Sequence, residues 1–334
     1  MSLAVGHGYG GDNVAVGSGS GQQQQAQAQQ QQQQPHKASV RAKVWNELRK
    51  VAVPDSRFHF DFSSFITDFA DSQAANEALL AHACFARATC VFITPDNCLE
   101  YLRERALAAG KRVLITTYGI RRGFWLLDPA EIRKKLLLGE SSDDGSSSSS
   151  SSNNNNDDDN DEMGNGKEHG NRCAQGNVHP WAWKYAATLD GMEKVGRPVS
   201  LQEIAGLGLE VGLMVTGTGA INTKGIRFGK GHGFFDLEWA MLYSLGVVSV
   251  ETATAAVVHD CQVLEEELVA EMFDTVCDLI VTPTRVIEAD VVGKPTCGVL
   301  WDLLEEGMLE DIPPLQELRT LLKVVIVLVV PAKP

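Results

Sequence analysis

Hydrophobic spacing predicts a run of alternating helices and buried strands between two stretches that cannot fold. In KASVRAKVWNELRKVAVP, Val40, Val44, Leu48 and Val51 recur at helical spacing, and Pro54 stops the helix. A Phe-rich connection, SRFHFDFSSF, leads to an Ala/Leu-rich helix expected around Ser72–Ala86. CVFIT (Cys90–Thr94) has the continuous apolar character of a strand covered on both faces. Asp96 or Asn97 is then placed to cap a helix running to about Ala109, which Gly110 ends. RVLITT (Arg112–Thr117) is a second buried strand. Strand, capped helix, glycine and strand make a βαβ unit, and hence a parallel sheet.

After this unit comes YGIRRGFWLLDP, which reads as a loop, and then a polar insert. Order is expected again near Trp181, with Ser200 and Glu203 spaced as a capping box at the start of a short helix. VGLMVTG (Val211–Gly217) is a third buried strand, DLEWAMLYSLG a helix ending at Gly246, and Val247–Val258 a strand with a following turn. QVLEEELVAEMF has a possible helical pattern, and DLIVTPTRVIEAD supplies the last strands. The resulting fold class is α/β, a three-layer α-β-α sandwich with a mostly parallel, Rossmann-like central sheet.

Composition limits how much of the 334 residues joins that sheet. Residues 1–36 contain no Lys or Arg and carry a Gln-rich run, too little apolar material to offset the entropy of ordering. The Ser/Asn/Asp tract has the same character. The expected organisation is a disordered tail at 1–36, a single α/β domain at 37–320 interrupted by a disordered insert at about 139–177, and an uncertain apolar tail at 321–334. That tail, LLKVVIVLVVPAKP, is too short to span a bilayer and is read as a possible strand. The net charge is −14, yet between Gly139 and Asn177 nine acidic and two basic residues supply half of it. With no basic block, nucleic acid is an unlikely partner. Seven scattered cysteines without a C-x-x-C pair suit reduced thiols. Without a signal-peptide pattern, the expected location is cytoplasmic, with organellar targeting left open.

The candidate chemistry lies in GIRFGKGHGFFD, Gly225–Asp236. It is neither a Walker A loop nor a dinucleotide fingerprint. Gly225, Gly229, Gly231 and Gly233 allow positive φ and a concavity of N–H groups, beside Arg227, Lys230 and the imidazole of His232. A helix N-terminus follows, expected near Leu237, and adds a dipole favourable to anions. The stretch is a phosphate cradle or a flexible turn, and Asp236 is a helix cap or a ligand for Mg2+. Lys37 and Arg41, four apart on one face of the first helix, oppose its dipole by roughly 0.3–1 kcal/mol each when exposed. An anion opposite them, or a solvated basic face, accounts for that.

G-x-R-[LF]-G-x-G-x-G-[FY]-[FY]-D after a V-T-G strand resembles the signature of the 5-formyltetrahydrofolate cyclo-ligase (5,10-methenyltetrahydrofolate synthetase) family. Lys37-x-x-x-Arg41 looks like that family's phosphate-binding entry. IVTPTRVI, DLEWAML and RRGFWLLDP look like its divergent cyclo-ligase-like branch. The resemblance implies ATP- and Mg2+-dependent conversion of 5-formyltetrahydrofolate to 5,10-methenyltetrahydrofolate by a monomer. Arg227 and Lys230 would be catalytic. Lys37, Arg41, Gly229, Gly231, His232, Gly233, Phe234 and Asp236 would hold ATP phosphates, and Asp236 and Asp274 the metal. Phe58, Phe60, Arg121, Arg122 and Phe124 are candidates for the folate pocket. Where the family usually has Tyr-Tyr, this sequence has Phe234-Phe235 and loses two hydroxyls. Binding of nucleotide or folate without turnover is therefore the alternative. An RNA-associated role ranks third, because the RNP-type aromatic motif is absent.

Overall fold

The computed structural model describes residues 38–138, 180–291 and 293–329. The Gln-rich start, Lys37, the polar insert and Cys173 lie outside the described residues. In chain order the elements are α1 (38–48), β1 (Ala52–Val53), β2 (Asp68–Phe69), α2 (Ser72–Ala81), α3 (Ala83–Arg87), β3 (Cys90–Ile93), α4 (Glu100–Ala108), β4 (Arg112–Thr116), β5 (Phe124–Leu127) and α5 (Pro129–Leu138). The second half adds α6 (Pro180–Ala187), α7 (Leu189–Val195), β6 (Arg197–Val199), α8 (Leu201–Gly206), β7 (Val211–Thr216), β8 (Ala220–Asn222), β9 (Arg227–Phe228) and α9 (Phe234–Ser244). It ends with β10 (Ala253–Val257), β11 (Val263–Leu264), β12 (Leu279–Val281), β13 (Val286–Glu288), α10 (Met308–Asp311) and α11 (Pro313–Val329).

Eight strands form one sheet in the order β13-β12-β10-β7-β3-β4-β5-β6. The five from β12 to β4 are mutually parallel, and antiparallel pairs are confined to the two flanks. The two-residue alternation of strand side chains divides the core. Val91, Ile93, Val113, Ile115, Leu213 and Val215 pack on one face with Leu79 of α2, Leu102 of α4 and Trp183 of α6. Cys90, Phe92, Leu114 and Met214 pack on the other with Ile204 of α8, Trp239 of α9 and Leu315 of α11. Covered faces on both sides account for the unbroken apolar runs read in the sequence. The expected three-layer α/β sandwich is what the chain forms.

The connections decide where a ligand can sit. β3 crosses to β4 through α4 on the first face, whereas β7 reaches β10 through α9 on the second. Adjacent strands whose helices leave on opposite faces open a crevice at their carboxyl ends, where ligands bind in such sheets. A three-stranded sheet, β11-β8-β9, stands beside this crevice, and Val40 and Val44 of α1 dock on its Ala220 and Phe228.

Several local expectations are corrected. The helix expected over Ser72–Ala86 breaks at His82, which is extended (φ −75°, ψ 146°) and accepts the Cys84 N–H on its ring to start α3. The supposed loop after β4 contains β5, antiparallel to β4 and pairing Thr116 with Phe124, because the tight turn at Tyr118–Gly123 sends the chain straight back. QVLEEELVAEMF is not helical: its start pairs with β8 as β11, and the remainder is irregular. The strand read from Val247 begins only at Ala253, since Ser249–Thr252 closes a turn through the Thr252 hydroxyl. Residues 321–329 of the apolar C-terminal stretch belong to a helix, not a strand, and Leu315 and Leu318 earlier in that helix, α11, are buried. The Ser200–Glu203 capping box forms as expected. All six described cysteines are free thiols.

Candidate active site

At the crevice lies a cavity of about 250 Å³, lined by Thr94, Thr116 and Thr216 from the strand ends and by the whole loop from Gly229 to Gly233. The loop leaves β9 and enters α9 without a spacer. α9 starts at Phe234, three residues earlier than expected, and Gly233 is its N-cap in the left-handed region (φ 63°). Asp236 is therefore in the first turn rather than at the cap. Gly231 has φ 120°, and a Cβ there would lie 2.9 Å from Arg41 Nη1. Only glycine suits that position. Of the four glycines expected to allow positive φ, Gly225, Gly231 and Gly233 adopt it and Gly229 does not; Gly225 uses it for a close approach to the Cys277 carbonyl and does not line the cavity.

Arg227 is buried and donates from Nη2 to Asp236 Oδ1 at 2.5 Å, with its guanidinium over the Phe235 ring at 4.4 Å. Burial is the largest single effect and works against its charge, but Asp236 together with Cys277, Asp274 and Glu238 leaves its pKa above the ordinary value. Asp236 Oδ1 also accepts the Thr275 N–H at 2.8 Å, so the pair is locked from both sides. Lys230 Nζ donates to the Tyr118 hydroxyl at 2.7 Å and to the Ser64 carbonyl at 3.1 Å. Burial lowers its pKa, with Asp96 acting in the opposite direction. Arg41 Nη1 donates to the Lys230 carbonyl at 2.7 Å, so α1 holds the loop in place. Arg41, Arg227, Lys230, Asp236 and Asp274 all line the one cavity.

His232 is exposed and stacks on Phe234, ring centroids 5.3 Å apart at 8°. The two phenylalanines separate in role: Phe234 faces the cavity, whereas Phe235 also packs toward Phe92 in the core. Asp274 accepts the Glu271 N–H on Oδ2, and its charge and that of Asp236 both act on Arg227. Two hard oxygen donors beside the glycine loop fit Mg2+, which is commonly held by one or two carboxylates plus substrate phosphates. Among the described residues no group of three His, Cys, Asp or Glu is arranged to hold a metal by itself. The folate-pocket candidates are corrected: none of Phe58, Phe60, Arg121, Arg122 or Phe124 lines the cavity. Phe58 and Phe60 pack in an aromatic cluster with Phe62 and Phe65, Phe124 is in the core, and Arg122 pairs with Glu193.

Three lining groups escaped the sequence reading. Tyr118 returns a phenolic hydroxyl to a loop that has lost two, and burial pushes its pKa up to about 12. Asp96 Oδ2 accepts the Thr94 hydroxyl and the Gly217 N–H, tying β3 to β7; burial raises its pKa. Glu238 is 2% exposed, and burial pushes its pKa up to about 8. Only Glu238 had a legible signal, an acid three residues after Phe235 and four before Leu242 on a buried stripe.

Residues 184–283 match the model of the 5-formyltetrahydrofolate cyclo-ligase family. The methenyltetrahydrofolate synthase domain-containing protein of Homo sapiens is 30% identical over 287 residues, covering 85% of this chain and 61% of that protein. Its namesake from Danio rerio is 29% identical over 291 residues, covering 85% and 62%. This chain thus spans about three fifths of the length of these curated relatives. The solution structure of Aquifex aeolicus 5,10-methenyltetrahydrofolate synthetase aligns with 76% of this chain and 93% of its own, at 14% identity and a TM-score of 0.38, a likeness too weak to carry an argument. The matched segment contains β7, the glycine loop, α9 and β10, and it is this part of the chain that is similar to the 5-formyltetrahydrofolate cyclo-ligase family.

Proposed function

We infer that the chain catalyses ATP- and Mg2+-dependent closure of 5-formyltetrahydrofolate to 5,10-methenyltetrahydrofolate. One observation carries the reading. The buried Arg227, the half-buried Lys230, a glycine loop fixed by Arg41 and the N-terminus of α9 converge on one cavity at the carboxyl ends of the parallel strands. The γ-phosphoryl group passes to the formyl oxygen and ADP leaves. N10 then attacks the activated formyl carbon and gives up its proton to solvent, and expulsion of phosphate leaves the five-membered ring. Such chemistry asks the protein for alignment and charge neutralisation rather than covalent help. Lys230 and the loop amides neutralise the transferred group, Arg227 fixes Asp236, and Asp236 with Asp274 would hold Mg2+. Mg2+, when bound, spreads the negative charge of the triphosphate. Lys37, Arg41, Gly229, His232 and Phe234 complete the phosphate site in this reading, and the protein acts as a monomer. The domain limits of 37–320 accompany it.

The test is ATP-dependent appearance of methenyltetrahydrofolate absorbance with purified protein, alongside an Asp236→Ala control of checked folding. Absorbance that never exceeds this control overturns the reading. The second reading, ligand binding without turnover, draws on Phe234, where the cavity wall has a bare ring in place of a hydroxyl. ATP·Mg2+ binding by calorimetry with no product, and turnover regained by Phe234→Tyr, would select it.

A further inference from the structure

Glu238 is an acid on the apolar face of its helix. α9 turns Phe235, Trp239 and Leu242 into the core, and Glu238 goes in with them. A buried carboxyl with an unmet hydrogen-bonding atom costs stability, so its presence calls for a reason. Oε1 accepts the Thr116 hydroxyl at 2.5 Å. Oε2 is buried and has no hydrogen-bond partner among the described residues. Thr116 ends β4 and Glu238 belongs to α9, so two rigid elements fix this carboxyl, and both residues line the cavity. The cations nearby are engaged elsewhere, Arg227 on Asp236 and Lys230 on Tyr118. Ile120, Ala240, Val299 and Met308 give the same cavity an apolar wall. A lone polar atom beside an apolar wall suits the edge of a flat heterocycle.

We propose that Glu238 reads the heterocycle of the phosphoryl acceptor, ionising as the ligand's N–H donor arrives, with Oε2 then accepting a hydrogen bond from a ring or exocyclic N–H of an uncharged aminopyrimidinone-type ring system. Position selects the acceptor over the nucleotide base. Glu238 follows Asp236 by two residues, about 3 Å along the helix axis, so its ligand abuts the cradle. The base lies at the far end of the triphosphate from the reacting phosphorus. The inference rests on the cyclo-ligase reading, in which the acceptor is a reduced folate whose pterin carries such an edge. Thr116 acts as a positioning residue.

Calorimetry of wild type, Glu238→Gln and Glu238→Met with 5-formyltetrahydrofolate, 6-methylpterin and ATP·Mg2+ tests it. Glutamine keeps the bond from Thr116 but presents an N–H where Oε2 accepts; methionine removes both polar atoms. Both variants are expected to weaken the folate and the pterin at least tenfold and to leave ATP·Mg2+ within twofold. Folate and pterin affinities within twofold of wild type in a folded variant, or equal losses for ATP·Mg2+, overturn the proposal. If wild type binds the pterin in a Glu238-dependent way but not 5-formyltetrahydrofolate, the cyclo-ligase reading falls and this one stands. If wild type binds neither, both fall.

Discussion

Removing the Asp236 carboxylate should unfold the site before it reports on a metal. The Arg227 side chain is 5% exposed and that of Asp236 14%, and Nη2 and Oδ1 are 2.5 Å apart. Among the described residues the buried Arg227 Nε has no hydrogen-bond partner, so the guanidinium depends on this carboxylate. Asp236→Ala leaves a buried, unpaired cation and also strips the Thr275 N–H of its acceptor. Breaking a buried pair from one side costs about 3–5 kcal/mol. For a domain of this size 1 kcal/mol moves the melting temperature by roughly 2–4 °C, so a fall on the order of 10 °C is expected. Asp236→Asn, which keeps an acceptor for Thr275, should lose about half as much. Arg227→Met/Asp236→Leu should return to within about 1 kcal/mol of wild type, because apolar groups of similar volume replace buried pairs at little cost. Differential scanning calorimetry of the four proteins without ligand gives the answer. A melting temperature for Asp236→Ala within 2 °C of wild type would refute the reasoning. The carboxylate would then be held for a ligand rather than for Arg227.

Other expectations follow from neighbouring contacts. Burial lowers the Lys230 pKa, and the charged form is the one that meets phosphate. Affinity for ATP should therefore decline on the alkaline side earlier than for a free lysine, and Lys230→Arg should flatten that limb of the KM profile; a profile shared by both proteins removes Lys230 from the site. Gly231→Ala forces positive φ on a residue with a Cβ and pushes on Arg41, costing about 1–2 kcal/mol and raising KM for ATP; unchanged melting and KM would show that the loop does not need Arg41. Tyr118→Phe removes the hydroxyl that accepts from Lys230; a charge-assisted hydrogen bond is worth about 1.5–3 kcal/mol, so melting should fall by roughly 3–10 °C and kcat/KM should drop as Lys230 loses its orientation, which calorimetry and steady-state kinetics check. Ser200→Ala, far from the cavity, should cost about 1 kcal/mol through the lost capping box and leave activity intact.

Legibility in the sequence followed the range of the physics involved. Strands β3, β4 and β7 are short apolar runs between turn residues, and their burial on both faces writes itself as an absence of polar positions. The capping box at Ser200 and the glycine-rich loop are equally local. β5 was hidden because Phe124–Leu127 pairs with β4 through a tight turn that the sequence punctuates only weakly. QVLEEELVAEMF alternates apolar and acidic positions, but its start is claimed by β8, and pairing overrides a modest helical pattern. The Arg227–Lys230 loop was readable as an anion site from its glycines and cations.

Its separate allegiances were not. That Arg227 is spent on Asp236, that Arg41 clasps the loop carbonyl, and that Lys230 meets Tyr118 depend on side chains 9, 189 and 112 positions apart in the chain. The sequence by itself determined the sandwich, the order of its central strands' helices and the chemical character of the loop, since periodicity, capping and glycine content act over a few residues. The tertiary structure alone decided which face each crossover takes, and therefore where the crevice opens. It also brought Thr116 to Glu238, leaving an acid in the core with one oxygen satisfied and the other without a partner among the described residues.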